Sequence, residues 1–168
     1  MKVITLPETE YYSQETALRQ PSFEVIDFGD IFQAEVDTLL EVFYSWKIAV
    51  GLAAPQIGIQ KRFAVINIDK TKPGETLIIV NPEIQSESGK KDKKLESCLS
   101  LANVRGEVER RDKVHFSYQD RFGVKKQLGV SGFFARVILH EVDHLNGILY
   151  IDRMLPHSKL QPLEIDWK

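Results

Sequence analysis

A chain of 168 residues with 43% hydrophobic and 27% charged residues fits one compact domain, 1–168, able to bury a core. Its formal net charge of −2 and pI near 6.1 lack the basic surplus that phosphate-backbone recognition needs, so no specific nucleic-acid partner is expected. No apolar run approaches the roughly 18 residues of a membrane span. The N-terminus turns polar too early for a secretory signal, and the single cysteine, Cys98, allows no intramolecular disulfide, so a cytoplasmic protein without membrane contact is expected.

Residues 1–29 mix proline, acids and aromatics without a clear period. From Asp30, the apolar residues Ile31, Phe32, Val36, Leu39, Leu40, Phe43 and Trp46 recur at helical spacing. They predict an amphipathic helix of about four turns, with Asp30 as its candidate cap. The segment GLAAPQIG at 51–58 reads as a loop with demanding backbone geometry, from its proline and flanking glycines. Strands are expected at 62–68, 76–84, 113–120 and 125–132, and the lysine-rich GKKDKKL between the second and third reads as a solvated turn. A second helix is predicted over GFFARVILHEVDHL, ending at Asn146 and Gly147. Helices and several strands without regular βαβ alternation predict an α+β domain.

Within that second helix lies HEVDH, at 140–144. Residues i and i+4 share a helix face. The neutral imidazoles of His140 and His144 can therefore converge on one cation, with Glu141 beside them. A hydrogen-bonded core histidine is the competing reading. It accounts poorly for two of the chain's four histidines standing at this spacing. A catalytic metal has three protein ligands and one open position. Downstream, Tyr150 stands where the extended zinc-peptidase pattern requires a histidine. The third ligand is therefore sought upstream, where Cys98 in LESCLSL (95–101) is the candidate. A lone cysteine is more often a small buried apolar residue, but a thiolate would suit ferrous iron or zinc.

Three separated segments, GLAAPQIG at 51–58, ESCLS at 96–100 and HEVDH at 140–144, together resemble the peptide deformylases, in the family's order and at about its spacing. The resemblance covers roughly residues 16–156 and is closest over GFFARVILHEVDHLNGILYIDRM at 132–154. It implies a single α+β domain, with small mixed or antiparallel β-sheets around a central metal-binding helix. It implies Cys98, His140 and His144 as ligands of one divalent metal ion, ferrous iron in the first place, with zinc, nickel or cobalt as replacements. Glu141 is implied to be the catalytic carboxylate. The implied reaction is hydrolysis of the N-formyl group of N-formylmethionyl nascent polypeptides, giving formate and a free amine. The side-chain amide of Gln56 and the backbone N–H of Leu99 are the implied oxyanion donors. Glu96 is implied to pair with downstream arginines, for which Arg105 and Arg110 stand at matching offsets.

Three residues are expected to meet substrate. Gly51 lets the substrate backbone approach closely. Ser97 stands where the family usually has glycine before the cysteine, and its side chain is expected either to narrow the cleft or to alter strand geometry. Arg136, one turn before His140, either shapes the pocket with its aliphatic stem or snorkels outward. Other departures from the family pattern are Ala49 for glycine, Leu139 for glutamine, and Leu101 and Ala102 where a proline is usual. Asp143 either orients a ligand histidine or is a helix-surface acid. A formylated peptide or nascent chain is the expected partner, with transient ribosome contact by a monomer. The alternatives are a hydrolase for another small N-acyl group and a catalytically weak or silent relative.

Overall fold

Strand β2 (Phe63–Ile66), buried on both faces, divides the molecule into layers. Phe63 and Val65 join one apolar cluster, Ala64 and Ile66 another, because successive strand residues face opposite sides of a sheet. The first cluster is closed by helix α1 (Asp30–Ser45) through Phe32, Val36, Leu39, Val42 and Phe43. The second is closed by helix α2 (Gly132–Leu145) through Ala135, Ile138, Val142 and Leu145. Each such buried Val, Leu, Ile or Phe side chain contributes about 1.5–3 kcal/mol, which fixes α2 against the sheet. The computed structural model describes residues 1–164.

The sheet runs β1 (Gly51–Ala53), β2, β3 (Leu77–Cys98), β4 (Leu101–Gln119) and β5 (Lys125–Ser131), every neighbouring pair antiparallel. A two-residue β6 (Gln161–Pro162) adds to β4. Among the described residues, two α-helices and an antiparallel sheet make the fold α+β, as expected. Among the described residues, no helix is long and apolar enough to cross a membrane.

Three sequence readings need correction. GKKDKKL is part of β3 rather than a turn. The strands expected at 76–84 and 113–120 are the far ends of a long β3–β4 ribbon, whose register continues to Cys98 opposite Leu101. The four lysines of GKKDKKL are carried on a solvated strand, and two of them are paired with acids, Lys91 with Glu109 at 2.7 Å and Lys94 with Asp92 at 3.0 Å. GLAAPQIG is a loop only in part: residues 51–53 pair with β2, and Ala54–Ile57 form a 3₁₀ turn. Asp30 is the first helical residue, and Gly29 holds the cap position without a side-chain bond.

The β5 strand leads directly into α2, which ends at Asn146 as expected. Gly147 follows at φ 73°, a left-handed conformation suited to glycine, and a Cβ there would meet the Arg19 carbonyl oxygen at 2.4 Å.

Candidate functional site

Cys98 is the last residue of β3, and only Leu99 and Ser100 separate it from β4. The tight turn projects the thiol toward α2, where His140 and His144 face it from one side of the helix. The donor atoms of Cys98, His140 and His144 all lie within 4.8 Å of one another. Cys98 Sγ is 3.2 Å from His144 Nε2, and the two imidazole rings stand 4.9 Å apart at 79°. The upstream cysteine thus joins the histidine pair, across 46 positions of chain.

One thiolate and two imidazoles match the donor set of a first-row divalent metal. His140 Nδ1 donates to Glu96 Oε2 at 3.1 Å, because an ionised carboxylate can only accept, and this turns Nε2 toward the other donors. In the metal-free protein, burial alone would raise the Cys98 thiol. The positive charges of His144 and His140 outweigh it and hold the thiol well below its ordinary value. Burial likewise opposes the charged form of His140, but bonds to Cys98 and Glu96 prevail and raise it. Neutralising a thiolate is what a bound cation would do, so these residues fit a metal.

Glu96 is the structural centre of this support. It is 7% exposed, and burial alone would raise its carboxyl. Bonds from His140 and Arg110 hold it well below the usual carboxylate range instead. Arg110 grips it through Nε at 2.7 Å and Nη2 at 3.0 Å, a bidentate pair. Arg136 Nη1 adds a third cationic contact at 2.6 Å. The expectation for Arg105 is corrected: it stands opposite Ser97 in the ladder and does not bond Glu96.

Arg136 is buried at 5% exposure, which excludes the snorkelling alternative. Its guanidinium also donates to the carbonyls of Val108 at 3.1 Å and Asp92 at 2.6 Å, while the residue borders the cleft. Asp143 is neither a surface acid nor a direct partner of a ligand histidine. It is buried and accepts from Arg110 at 2.8 Å and Arg153 at 2.9 Å, so it acts on the site through Arg110. Sequence reasoning offered Arg136 no role at Glu96, because 40 positions separate them.

Glu141 lies beside the donors at 3% exposure, and its Oε2 has no hydrogen-bond partner. Burial raises its carboxyl to about 7, against the opposing pull of His140 and His144. Gly51 has a tighter reason than substrate approach: a Cβ there would lie 2.2 Å from Glu141 Oε1. The absent side chain is the space that Glu141 occupies.

Gln56 projects its amide into the same site. The Ala53 N–H donates to Oε1 at 2.9 Å, which turns Nε2 toward Ser100 Oγ at 3.1 Å and Cys98 Sγ at 3.4 Å. Ser100, fully buried, is a supporting residue that the motif contained but sequence reasoning left without a role. Leu99, Ser97, Gly51 and Arg136 border one cleft of about 280 Å³, with Cys98, His140 and Glu141 in its wall. Ala49 borders it too. Ile48, Leu95 and Phe133 give the cleft an exposed apolar rim.

Comparisons with known proteins converge on one family. A polypeptide deformylase family model matches residues 8–160. The peptide deformylase of Caldicellulosiruptor bescii is 41% identical over 152 residues, covering 90% of this chain and 87% of the relative. The crystal structure of a peptide deformylase from Legionella pneumophila superposes with a TM-score of 0.81 at 35% identity, covering 92% of this chain and 85% of that one. A peptide deformylase from Synechococcus elongatus, crystallised in complex with actinonin, gives 0.80 at 35% identity, covering 92% and 79%.

Proposed function

We propose, because this chain belongs to the polypeptide deformylase family, that it hydrolyses the N-formyl group of N-formylmethionyl peptides to formate and a free amine. The observation that carries this reading is the convergence of three donor atoms within 4.8 Å beside an unpartnered buried carboxylate, in the wall of a cleft. Cys98, His140 and His144 hold one divalent metal ion. Ferrous iron is the proposed metal, and the donor set also accepts zinc, nickel or cobalt. When bound, the ion supplies a Lewis acid and lowers the pKa of water toward about 7.

The chain's own residues do the rest. Glu141 Oε2, unpartnered and buried, takes the proton of the attacking water and delivers it to the departing amine nitrogen. Its burial favours the protonated form, so the proton is held until the nitrogen can accept it. Gln56 Nε2 and the Leu99 N–H donate to the oxygen on which negative charge develops, and one such donor is worth about 10²–10³ in turnover. The fixed end of the Gln56 amide, held by Ala53, keeps that donor aimed before substrate arrives. Water adds across the amide bond, so formate carries its oxygen away and the amine its proton.

Ser97 and Arg136 contribute to substrate contact: Ser97 is exposed at the cleft, and Arg136 forms part of its wall. As part of the same reading, the chain acts as one monomeric domain in the cytoplasm. It meets nascent chains by transient ribosome contact, for which the exposed lysines of the β3–β4 ribbon offer positive charge.

The test is formate release from a formyl-Met tripeptide by protein purified anaerobically and loaded with ferrous iron. Glu141→Ala is expected to cut turnover by about 10²–10⁴-fold with metal still bound. Release of formate undiminished in Glu141→Ala, or cleavage of acetyl but not formyl peptides, would overturn the proposal.

A further inference from the structure

The two proposed oxyanion donors come from separate pieces of chain, Gln56 from the 3₁₀ turn after β1 and Leu99 from the β3–β4 turn. A third piece lies across both. The Ile4 N–H donates to the Gln56 carbonyl at 2.7 Å, and the Leu6 N–H donates to the Ser100 carbonyl at 2.9 Å. Two N–H groups only two residues apart thus bond one loop each, so one short segment holds both loops at once.

The side chains fasten the same segment. Val3 packs against the apolar cluster that holds Ile57 and Leu99. Ile4 and the buried Leu6 pack into another, which holds Cys98 and Leu101. Residues 3–6 are therefore anchored on both sides of the seam between the donor loops. The side-chain links across that seam, from Gln56 Nε2 to Ser100 Oγ and Cys98 Sγ, use the nitrogen that also donates to substrate during reaction. The backbone links through Ile4 and Leu6 use no atom that the reaction needs.

We propose that residues 3–6 are a positioning strap that holds Gln56 and the Leu99–Ser100 turn at a fixed separation, so that both donors are in place before charge develops. The proposal rests on the deformylase reading above. Ile4 and Leu6 act through their backbone N–H groups and touch no substrate. Preorganised donors stabilise charge because they need not move at the moment of reaction. A displacement of about 1 Å can cost about 10²-fold.

The experiment compares Ile4→Pro and Leu6→Pro, each of which deletes one N–H, with Ile4→Val and Leu6→Met, which keep it. The proline variants are expected to lose about 10–10²-fold in kcat on a formyl-Met tripeptide, with KM within about twofold and bound metal unchanged. The conservative variants are expected to stay near the parent. In a Gln56→Ala background, Ile4→Pro is expected to cost much less than alone, since the donor it positions is gone. In metal-free protein, amide exchange over residues 98–101 is expected to rise about tenfold in Leu6→Pro. Should a proline variant fail to fold, Leu6→Ala loosens the segment and is expected to lower kcat by about 3–10-fold with KM spared. Unchanged kcat and exchange in folded variants, or a kcat that falls only in proportion to lost metal, would overturn the strap. An inactive parent would instead overturn the deformylase reading.

Discussion

Helix α2 and the β3–β4 turn supply the same centre by opposite means. The helix brings His140, Glu141 and His144 together through its own 3.6-residue repeat, held by backbone bonds within one short segment. The turn brings Cys98 and Leu99 to the same place at the end of a ribbon, where the local bond from the Ser100 N–H to Cys98 Sγ, 3.4 Å, fixes the thiol only against its own turn. What aims them is a set of long-range contacts: Glu96 with Arg110, Arg136 and His140, Gln56 with Ser100, and the segment at residues 3–6. The lesson is that one half of the site is stiff by secondary structure, the other by side-chain and loop contacts, and the two halves should fail differently.

The sharpest way to separate them is to cut their shared link. Glu96→Ala leaves Arg110 and Arg136 buried beside a missing partner, and removing one member of a buried ion pair costs about 3–5 kcal/mol. Urea unfolding of the metal-free variant is expected to show that loss. A drop below about 1 kcal/mol would mean that the ribbon is held by something else.

On the helix side, Glu141 tests burial by pH. Its carboxyl is raised from 4.5 to about 7 in the fold. Between those values the folded chain keeps a proton that the unfolded chain has lost, so stability falls as pH rises through this window. The full penalty, about 3 kcal/mol, is present above pH 7. Metal-free Glu141→Gln is therefore expected to match the parent near pH 4.5 and to exceed it increasingly toward pH 8. Parallel stability curves would show that the carboxylate is solvated in solution.

Gly51→Ala strikes between the halves. The new methyl needs the place of Glu141 Oε1, so the carboxylate must shift while the three metal ligands stay. Turnover is expected to fall about 10²-fold with metal content unchanged. Equal activity would show that Glu141 has room to spare. The smallest expected effect lies on the turn side. Ser97→Gly removes an exposed side chain from the cleft and is expected to raise kcat/KM on formyl-Met peptides only a few-fold. Unchanged kinetics would remove any role for Ser97 in narrowing the cleft.

The helix was legible in the sequence because its signal is local. Apolar spacing, two histidines four apart and an Asn-Gly stop all lie within one segment. Cys98 was legible as the candidate for a missing third ligand and Gln56 only as a motif residue, since no spacing rule places a residue 46 or 42 positions away at the same point. The ribbon was misread at GKKDKKL because a two-stranded, solvated extension buries too little to show alternation, and its information lies in cross-strand pairs. Arg136 was ambiguous for a related reason: its partner Glu96 is on another element. Residues 3–6 left almost no trace, because their main bonds are made by backbone atoms that every residue type carries.

The two-residue link at Leu99–Ser100 has one more consequence, for the order in which the chain assembles. It closes the shortest loop in the β3–β4 ribbon, and short loops cost the least chain entropy to form. Pairing can begin there and zip outward toward Gln119, while the histidines must wait for α2 to dock from much later in the chain.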